Sequence, residues 1–176
     1  MAGARRWSSR LSGNLSVLIR PYRDDDASAT AEIFFDSIRY GTASHYDEVQ
    51  RQAWAPDIPE PPGWQARLGP QTVFVAERGG SVIGFMSLTR SGCIDLAYML
   101  PDAIGQGVAR SLYEQILSTA LRDGLTRLYT EASHLALPFF QRQGWRVVKR
   151  QTVSRNGVAL ENFVMETEIT EPGNIG

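Results

Sequence analysis

The chain has 176 residues and a formal net charge of −1, so no excess of positive charge points to nucleic acid or to an anionic membrane as its partner. One cysteine, Cys93, excludes an intrachain disulfide and a cysteine-rich zinc site. The 43% share of hydrophobic residues is ordinary for a soluble globular domain, and no apolar run approaches the ~20 residues of a membrane helix.

These bounds predict a single domain over residues 17–169, in a reducing cytoplasm. We expect residues 1–16 to be a disordered tail and residues 170–176 to be a loose C-terminus. Neither end carries a pattern of its own that predicts a helix or a strand.

The first predicted elements are a strand and a helix. Residues 17–20 form a short apolar strand that ends at Pro21. The three aspartates that follow, at positions 24–26, are interpreted as helix caps, since no histidine or further acid lies at metal-ligand spacing. Apolar residues then recur at helical spacing over 31–40, and Gly41 ends that helix.

A second helix is predicted from His45 to Ala53, with Ser44 as its cap. The prolines that follow predict irregular chain, because proline disrupts helices and central strands; they stand at positions 56, 59, 61 and 62. A short helix is predicted over residues 64–68.

The second half of the chain alternates strands with helices. β-Branched and aromatic runs predict strands over residues 72–77, 82–88, 94–99, 128–130, 145–153 and 158–168. Gly79-Gly80 and Asn156-Gly157 are typical of hairpin turns. A long amphipathic helix is predicted over 108–121, and a shorter one from Ser133 through Gln143. This order predicts an α/β layer architecture.

The most informative segment is the loop between strand 94–99 and the helix that begins at Val108. Backbone amides at the start of a helix attract phosphate groups, and glycines at 105 and 107 keep this loop tight. Arg110 occupies the place of the third glycine of the dinucleotide fingerprint, and no lysine follows Gly107 as a P-loop requires. The loop therefore predicts a phosphate site of another kind, in which Gly107 and Ala109 fit a Gly-x-Gly/Ala pattern.

Two motifs and the opening strand resemble the GNAT superfamily of acyl-CoA-dependent N-acyltransferases. Residues 98–101 with 105–109 are similar to its acyl-CoA motif, and residues 133–140 with Gly144-Trp145 are similar to its second motif. The Pro-Phe-Phe variant at 138–140 resembles a bacterial branch. The resemblance implies a mixed, mostly antiparallel central sheet of six to seven strands, flanked by helices, with a splayed strand that binds acyl-CoA.

The resemblance also implies acetyl-CoA as the cosubstrate. Amides of the glycine loop would hold its pyrophosphate, and strand 94–99 would pair with its pantetheine arm. Ile104 replaces the usual Arg or Gln of the motif, from which we expect weaker affinity at most. The implied cofactor residues are Ala97, Tyr98, Met99, Ile104, Gly105, Gln106, Gly107, Val108, Ala109, Arg110, Ser133, Phe139 and Phe140.

The acid that protonates the leaving thiolate is left open. Phe140 stands where the family usually has a tyrosine for this step, and phenylalanine has no proton to donate. Tyr98, Tyr129 and Ser133 are the alternative donors, or the thiolate leaves unassisted, which its pKa near ~8.5 permits. Tyr98 is the nearest of them in sequence to the cofactor strand.

The base that takes a proton from the attacking amine is also open. Strand alternation would place Asp95 on one face with Ala97 and Met99, and Glu131 ends the adjacent strand. His45 is a further candidate in the helical region that covers the acceptor in this family. With Tyr46 and Trp54 it is expected to bind the acceptor, and Trp64 is a further aromatic residue expected at that pocket. We expect Cys93 to be buried and inert and His134 to be solvated.

The resemblance thus implies an N-acetyltransferase in which a primary amine attacks acetyl-CoA directly in a ternary complex. The acceptor would be a small-molecule amine or a peptide. The missing tyrosine keeps a second function open, a non-catalytic acyl-CoA sensor or scaffold on the same fold. No metal, nucleic acid or membrane is expected, and the protein is predicted to be a monomer or a homodimer.

Overall fold

The computed structural model describes residues 16–171 of the chain. The predicted tail lies outside the described residues, apart from Ser16, and so do residues 172–176. The regular elements within the described part are β1 (Val17–Pro21), α1 (Ala27–Asp36), α2 (Glu48–Trp54), α3 (Pro61–Leu68), β2 (Thr72–Arg78), β3 (Ser81–Leu88), β4 (Ile94–Met99), α4 (Val108–Arg122), β5 (Arg127–Ala132), α5 (Leu137–Arg142), β6 (Arg146–Arg155) and β7 (Val158–Glu168).

The strands form two antiparallel sheets that lie side by side. One has the order β1-β2-β3-β4 and the other the order β5-β7-β6. Among the described residues, one isolated parallel bridge, Cys93 with Tyr129, joins β4 to β5. The Tyr129 amide donates to the Gly92 carbonyl at 3.0 Å and Thr130 Oγ1 donates to the Ile94 carbonyl at 2.7 Å. These bonds lie where β4 begins, so a cleft opens between β4 and β5 toward the ends of the two strands. The two antiparallel sheets and this cleft confirm the predicted antiparallel pairing and the predicted splay.

A β-bulge interrupts β4. Asp95 and Leu96 together oppose one residue of β3, Ser87, so the two strands lose their one-to-one register. The buried Ser87 hydroxyl accepts a hydrogen bond from the Leu96 amide at 3.1 Å and so satisfies a group that the ladder leaves unpaired. Because strand residues alternate between faces, the bulge reverses which face the following residues occupy.

Helices cover both faces of the first sheet. On one face, α4 buries a stripe that includes Leu112 and Ile116 against Met86 of β3. On the other face, α1 and α3 bury Phe34 and Trp64 against the sheet. The amphipathic period read from the sequence thus corresponds to the buried face of α4.

Three predicted helix starts differ from the structure, and one of them is that of α5, which begins at Leu137 rather than at Ser133. Helix α2 begins at Glu48 rather than His45, because Asp47 and not Ser44 caps it: the Asp47 carboxylate accepts from the Gln50 amide at 2.8 Å. Helix α3 begins at Pro61, earlier than predicted. Proline is tolerated there because the first amides of a helix have no intrahelical partner.

A substitution in the turn before β4 can test how the two sheets are joined. Gly92 has φ of +92°, and an added Cβ would lie 2.7 Å from the Arg127 carbonyl oxygen at the start of β5. We expect Gly92→Ala to lower the free energy of unfolding by about 2–4 kcal/mol, because it adds this clash to the backbone strain. Urea unfolding followed by circular dichroism measures the change.

The matched control is Gly80→Ala in the hairpin between β2 and β3. Gly80 has a similar φ of +80°, but no atom lies within 4 Å of its added Cβ. Gly80→Ala should lower the free energy of unfolding by only about 1–2 kcal/mol, which is the cost of a left-handed backbone at alanine. Equal losses in the two variants would contradict the close approach of Gly92 to β5.

Candidate active site

Two cavities open from the cleft between β4 and β5. The first, about 520 Å³, lies between the glycine loop, α4 and α5, and is called the loop cavity here. The second, about 710 Å³, lies between the cleft and the β6–β7 hairpin, and is called the hairpin cavity. Trp54, Tyr98 and Ser133 line both cavities and form their shared wall. The two cavities are therefore adjacent at these three side chains.

The glycine loop leaves the start of α4 open. Gly105 and Gly107 have φ of +80° and +81°, a conformation that side chains rarely adopt, and an added Cβ at either position meets no atom within 4 Å. Gly107 precedes Val108, and no side chain caps the helix there. The first amides of this 15-residue helix thus face open space at its positive end, which favours an anion.

Most of the residues predicted for the cofactor line the loop cavity. Two do not: Val108 is 2% exposed in the core, and the Gln106 side chain donates to the Asp102 carbonyl at 2.6 Å. The predicted residues that line it are Ala97, Tyr98, Met99, Ile104, Gly105, Gly107, Ala109, Arg110, Ser133, Phe139 and Phe140. Ser37 and Thr42 also line it. The sequence prediction missed both because Ser37 begins, and Thr42 directly follows, a π-helical turn, Ser37–Gly41, that no pattern indicated.

The free edge of β4 faces the cleft. The Leu100 amide donates to the Ile83 carbonyl of β3 at 2.8 Å. Since hydrogen bonding alternates along an antiparallel pair, the backbone of Tyr98 also faces β3, whereas the backbones of Ala97 and Met99 face away from it. Ser37 Oγ donates to the Met99 carbonyl. An extended ligand can therefore pair with Ala97 and the Met99 amide, while Tyr98 offers its side chain.

The predicted placement of Asp95 is wrong. The bulge at Asp95–Leu96 puts Asp95 on the side of the hairpin cavity, while Ala97 lines the loop cavity on the opposite face. Its carboxylate accepts from Gln71 Nε2 at 2.9 Å and lies 3.4 Å from an Arg67 nitrogen. Asp95 thus faces the hairpin cavity as half of an ion pair.

Tyr98 projects from β4 into the shared wall. Its ring centroid lies 5.1 Å from that of Phe34 and 6.0 Å from that of Phe85, so the ring is held by packing. Burial raises the pKa of the Tyr98 phenol above its ordinary value, and the group stays protonated at neutral pH. Its hydroxyl has no hydrogen-bond partner among residues 16–171. Tyr98 is therefore a core aromatic residue and an available proton donor at once.

The other predicted donors lie in different surroundings. Phe140 is 1% exposed, and its ring centroid lies 4.8 Å from that of Trp145. Ser133 Oγ accepts from the Ala136 amide at 3.1 Å, and its own proton has no acceptor in the described part of the chain. The Tyr129 hydroxyl is bonded to Ser91 Oγ at 2.7 Å. Ser133 and Tyr98 are thus the hydroxyls at the shared wall.

Glu131 lines the hairpin cavity from β5. Its carboxylate accepts a hydrogen bond from Gln151 Nε2 at 3.0 Å, and no cation pairs with it within residues 16–171. Cys93 lines the same cavity, but burial raises the pKa of its thiol to about 11, so it is protonated and a poor nucleophile. Of the two predicted carboxylates, Glu131 is the one whose charge is uncompensated.

Of the residues predicted to bind an acceptor, two line a cavity and two do not; Trp64 is one of the latter, because it is 3% exposed in the core. Tyr46 and Trp54 line the hairpin cavity, with their ring centroids 5.4 Å apart. His45 lines neither cavity, because it belongs to an exposed turn before α2, where it stacks on His134 at 5.9 Å. His134 itself was predicted to be solvated, but it is half-buried and its Nε2 lies 2.7 Å from Glu161 Oε1.

Several residues of the hairpin cavity had no signal in the sequence. Arg67 comes from α3, Arg155 ends β6, and Glu161 with Asn162 comes from β7. Arg67 is far from the other three in the chain, and the hairpin that carries those three packs against α2. Within residues 16–171, no group of three His, Cys, Asp or Glu side chains is placed to hold a metal ion, and no helix has the length and apolarity to cross a membrane.

Comparison with known proteins gives concordant results. The profile of the acetyltransferase (GNAT) domain matches residues 42–167. An uncharacterized N-acetyltransferase of Escherichia coli, YafP, is 31% identical over 150 residues, which are 85% of this chain and 95% of that protein. The solved structure of a GCN5-related N-acetyltransferase from Rhodopseudomonas palustris is 36% identical, covers 88% of this chain and 98% of its own, and superposes with a TM-score of 0.83.

A second solved structure carries a ligand. It is yncA from Salmonella typhimurium, a putative acetyltransferase with its cofactor acetyl-CoA, 20% identical to this chain. It covers 89% of this chain and 96% of its own, with a TM-score of 0.66. At this identity the likeness establishes a shared fold.

Proposed function

The chain belongs to the GNAT family of acetyltransferases, and from that premise we propose that it transfers the acetyl group of acetyl-CoA to a primary amine by direct attack in a ternary complex. The observation that carries the proposal is the shared wall. A cavity with an anion-binding loop and a cavity lined by carboxylates and aromatic rings meet at Trp54, Tyr98 and Ser133. Two substrates held in these cavities would contact each other there.

Acetyl-CoA fits the loop cavity by its chemistry. The amides that follow Gly107 suit its pyrophosphate, and the outward backbone groups of Ala97 and Met99 suit the amides of its pantetheine arm. This arrangement directs the thioester to the shared wall. Acetyl-CoA bound to a protein of the same fold supports the assignment.

The reaction forms a carbon–nitrogen bond and breaks a carbon–sulfur bond. The amine nitrogen attacks the thioester carbonyl, and the outward Met99 amide is placed to stabilise the oxyanion. Glu131 takes the proton that the ammonium must lose, directly or through water, because its charge is free of a cationic partner. The protonated phenol of Tyr98 donates to the departing thiolate, and it regains a proton, directly or through water, from the nitrogen as the amide forms.

The sensor alternative depended on Phe140, the position that lacks a hydroxyl. Two other hydroxyls, those of Tyr98 and Ser133, stand at the shared wall and have protons to donate. Moreover, the thiolate of coenzyme A is a good leaving group, with a pKa near ~8.5. The missing tyrosine therefore does not argue against catalysis.

Initial-rate kinetics test the proposal. With acetyl-CoA and a panel of primary amines, release of the coenzyme A thiol is followed with a chromogenic thiol reagent, and enzyme alone corrects for Cys93. We expect intersecting double-reciprocal lines when both substrates are varied, since direct attack needs both substrates bound. Parallel lines would indicate an acetyl-enzyme and contradict the mechanism. No release with any amine, despite acetyl-CoA binding, would contradict the function.

A further inference from the structure

The charges that line the hairpin cavity are unequally paired. Arg67 lies 3.4 Å from Asp95, and Glu161 is paired with Arg150 at 2.6 Å, outside the cavity. Arg155 makes no ion pair within residues 16–171, and its guanidinium donates only to the neighbouring Ser154 carbonyl, at 3.4 Å. Arg155 is thus a cation that lines the cavity and has no ion-pair partner within residues 16–171.

The position of Arg155 is fixed by the fold around it. It ends β6 directly before the Asn156-Gly157 turn, and Asn156 Nδ2 donates to the Ala53 carbonyl at the end of α2, at 2.7 Å. On the other arm of the hairpin, Gln50 Nε2 donates to the Ala159 carbonyl at 3.1 Å. These two bonds hold the hairpin tip against α2, and they hold the base of the Arg155 side chain at the rim of the cavity.

Arg155 also lies near the shared wall. Its charge, like that of Arg67, acts on the Tyr98 hydroxyl and opposes the rise that burial causes in the pKa of Tyr98. Arg155 and the three residues of the shared wall line the same cavity, so a negative group bound by Arg155 lies in the cavity that reaches the place where acetyl-CoA and amine meet. Guanidinium groups bind carboxylates and phosphonates through paired, charge-assisted hydrogen bonds.

The rest of the cavity suits a small molecule with an apolar body. Its volume of about 710 Å³ is in the range of small-ligand sites. Aromatic rings of Phe34, Tyr46 and Trp54 line it, and Glu131 of β5 supplies a negative charge that has no cationic partner within residues 16–171. The cavity thus offers a cation, an anion and an apolar surface.

We propose that the acceptor is a small zwitterion of the amino-acid type, whose anionic group binds Arg155 while its amine faces Glu131 and the thioester. This inference rests on the acetyl transfer proposed above. It makes Arg155 a specificity-determining residue: the side chain selects acceptors with an acidic group and takes no part in the bond changes.

Matched pairs of acceptors test the inference. Each pair is an amino acid and the amine left by its decarboxylation: phenylalanine with phenethylamine, tyrosine with tyramine, leucine with isoamylamine, and lysine with cadaverine. With the wild-type protein, kcat/KM should be at least about tenfold higher for the acid in the preferred pair, because the amine leaves Arg155 unpaired. In Arg155→Gln, the KM for that acid should rise about tenfold or more while kcat changes little. The ratio of kcat/KM for the acid to that for the amine should therefore fall.

Lys149→Gln is the matched control, since Lys149 is an exposed cation on the same strand that lines neither cavity. It should leave the preference unchanged. Equal or better use of the decarboxylated amines would overturn the inference, as would a preference that survives in Arg155→Gln or the acetylation of no acid in the panel. Any of these results is compatible with acetyl-CoA binding and with acetylation of other amines, so the proposed function would still stand. Absence of acetyl-CoA binding would instead contradict the function itself.

Discussion

Gly107→Glu is expected to abolish acetyl-CoA binding. Gly107 directly precedes α4, and open space surrounds the position of an added Cβ, so the glutamate would project into the site assigned to the pyrophosphate. Its carboxylate would repel the phosphates and would itself cap the free amides of the helix. Isothermal titration calorimetry with acetyl-CoA should show at least about a 100-fold weaker Kd, which corresponds to about 2.7 kcal/mol.

Gly124→Glu provides the control, because Gly124 follows the other end of the same helix. Its φ of +76° is close to the +81° of Gly107, and its added Cβ also meets no atom within 4 Å. The two variants share the backbone strain and the added charge, but only the glutamate at position 107 would face the loop cavity. If Gly107→Glu binds acetyl-CoA within threefold of the wild type, the pyrophosphate does not lie at this loop.

Tyr98→Phe is expected to lower kcat about 100-fold, which is the lower end of the usual contribution of a general acid. The substitution removes the proton donor and keeps the ring that packs on Phe34 and Phe85. The Kd for acetyl-CoA should therefore stay within about threefold, because the backbone of β4 and the loop amides are unchanged. Steady-state kinetics and calorimetry on the same preparation separate the two effects.

The matched variant is Ser133→Ala, which removes the other hydroxyl of the shared wall. We expect it to lower kcat by less than about tenfold. The reverse result, a large loss in Ser133→Ala and none in Tyr98→Phe, would assign the proton to Ser133. The raised pKa of Tyr98 adds a further expectation: the acid stays protonated beyond pH ~10, so its own ionisation should not limit kcat between pH 7 and 9.

Local sequence patterns predicted the parts of the fold whose causes are local. The bounds of β4 and β7 match the alternating apolar runs, and α4 begins at Val108, directly after Gly107. In each case the deciding signal lies within a few residues: a period, a glycine with positive φ, or an Asn-Gly turn. The loop cavity could be anticipated for the same reason, since a strand, a loop and a helix in succession build most of it.

The hairpin cavity could not be anticipated in this way. Asp95 was placed on the wrong face because the bulge depends on the pairing of β4 with Ser87, which no pattern in β4 reveals. Arg155 gave no signal, since only the packing of the hairpin tip on α2 brings it to the cavity. His45 was misplaced by an error of three residues in the start of α2. Long-range contacts decide the positions of Asp95 and Arg155, whereas a local cap, Asp47, sets the start of α2.

A crystal structure of the complex with acetyl-CoA tests the central claim most directly, because that claim concerns where acetyl-CoA binds. We predict the pyrophosphate within hydrogen-bond distance of the amides of residues 105–110, the pantetheine arm along Ala97 and Met99, and the thioester beside Tyr98 and Ser133 at the shared wall of the two cavities. A pyrophosphate bound elsewhere, or a thioester that does not reach this wall, would contradict the account.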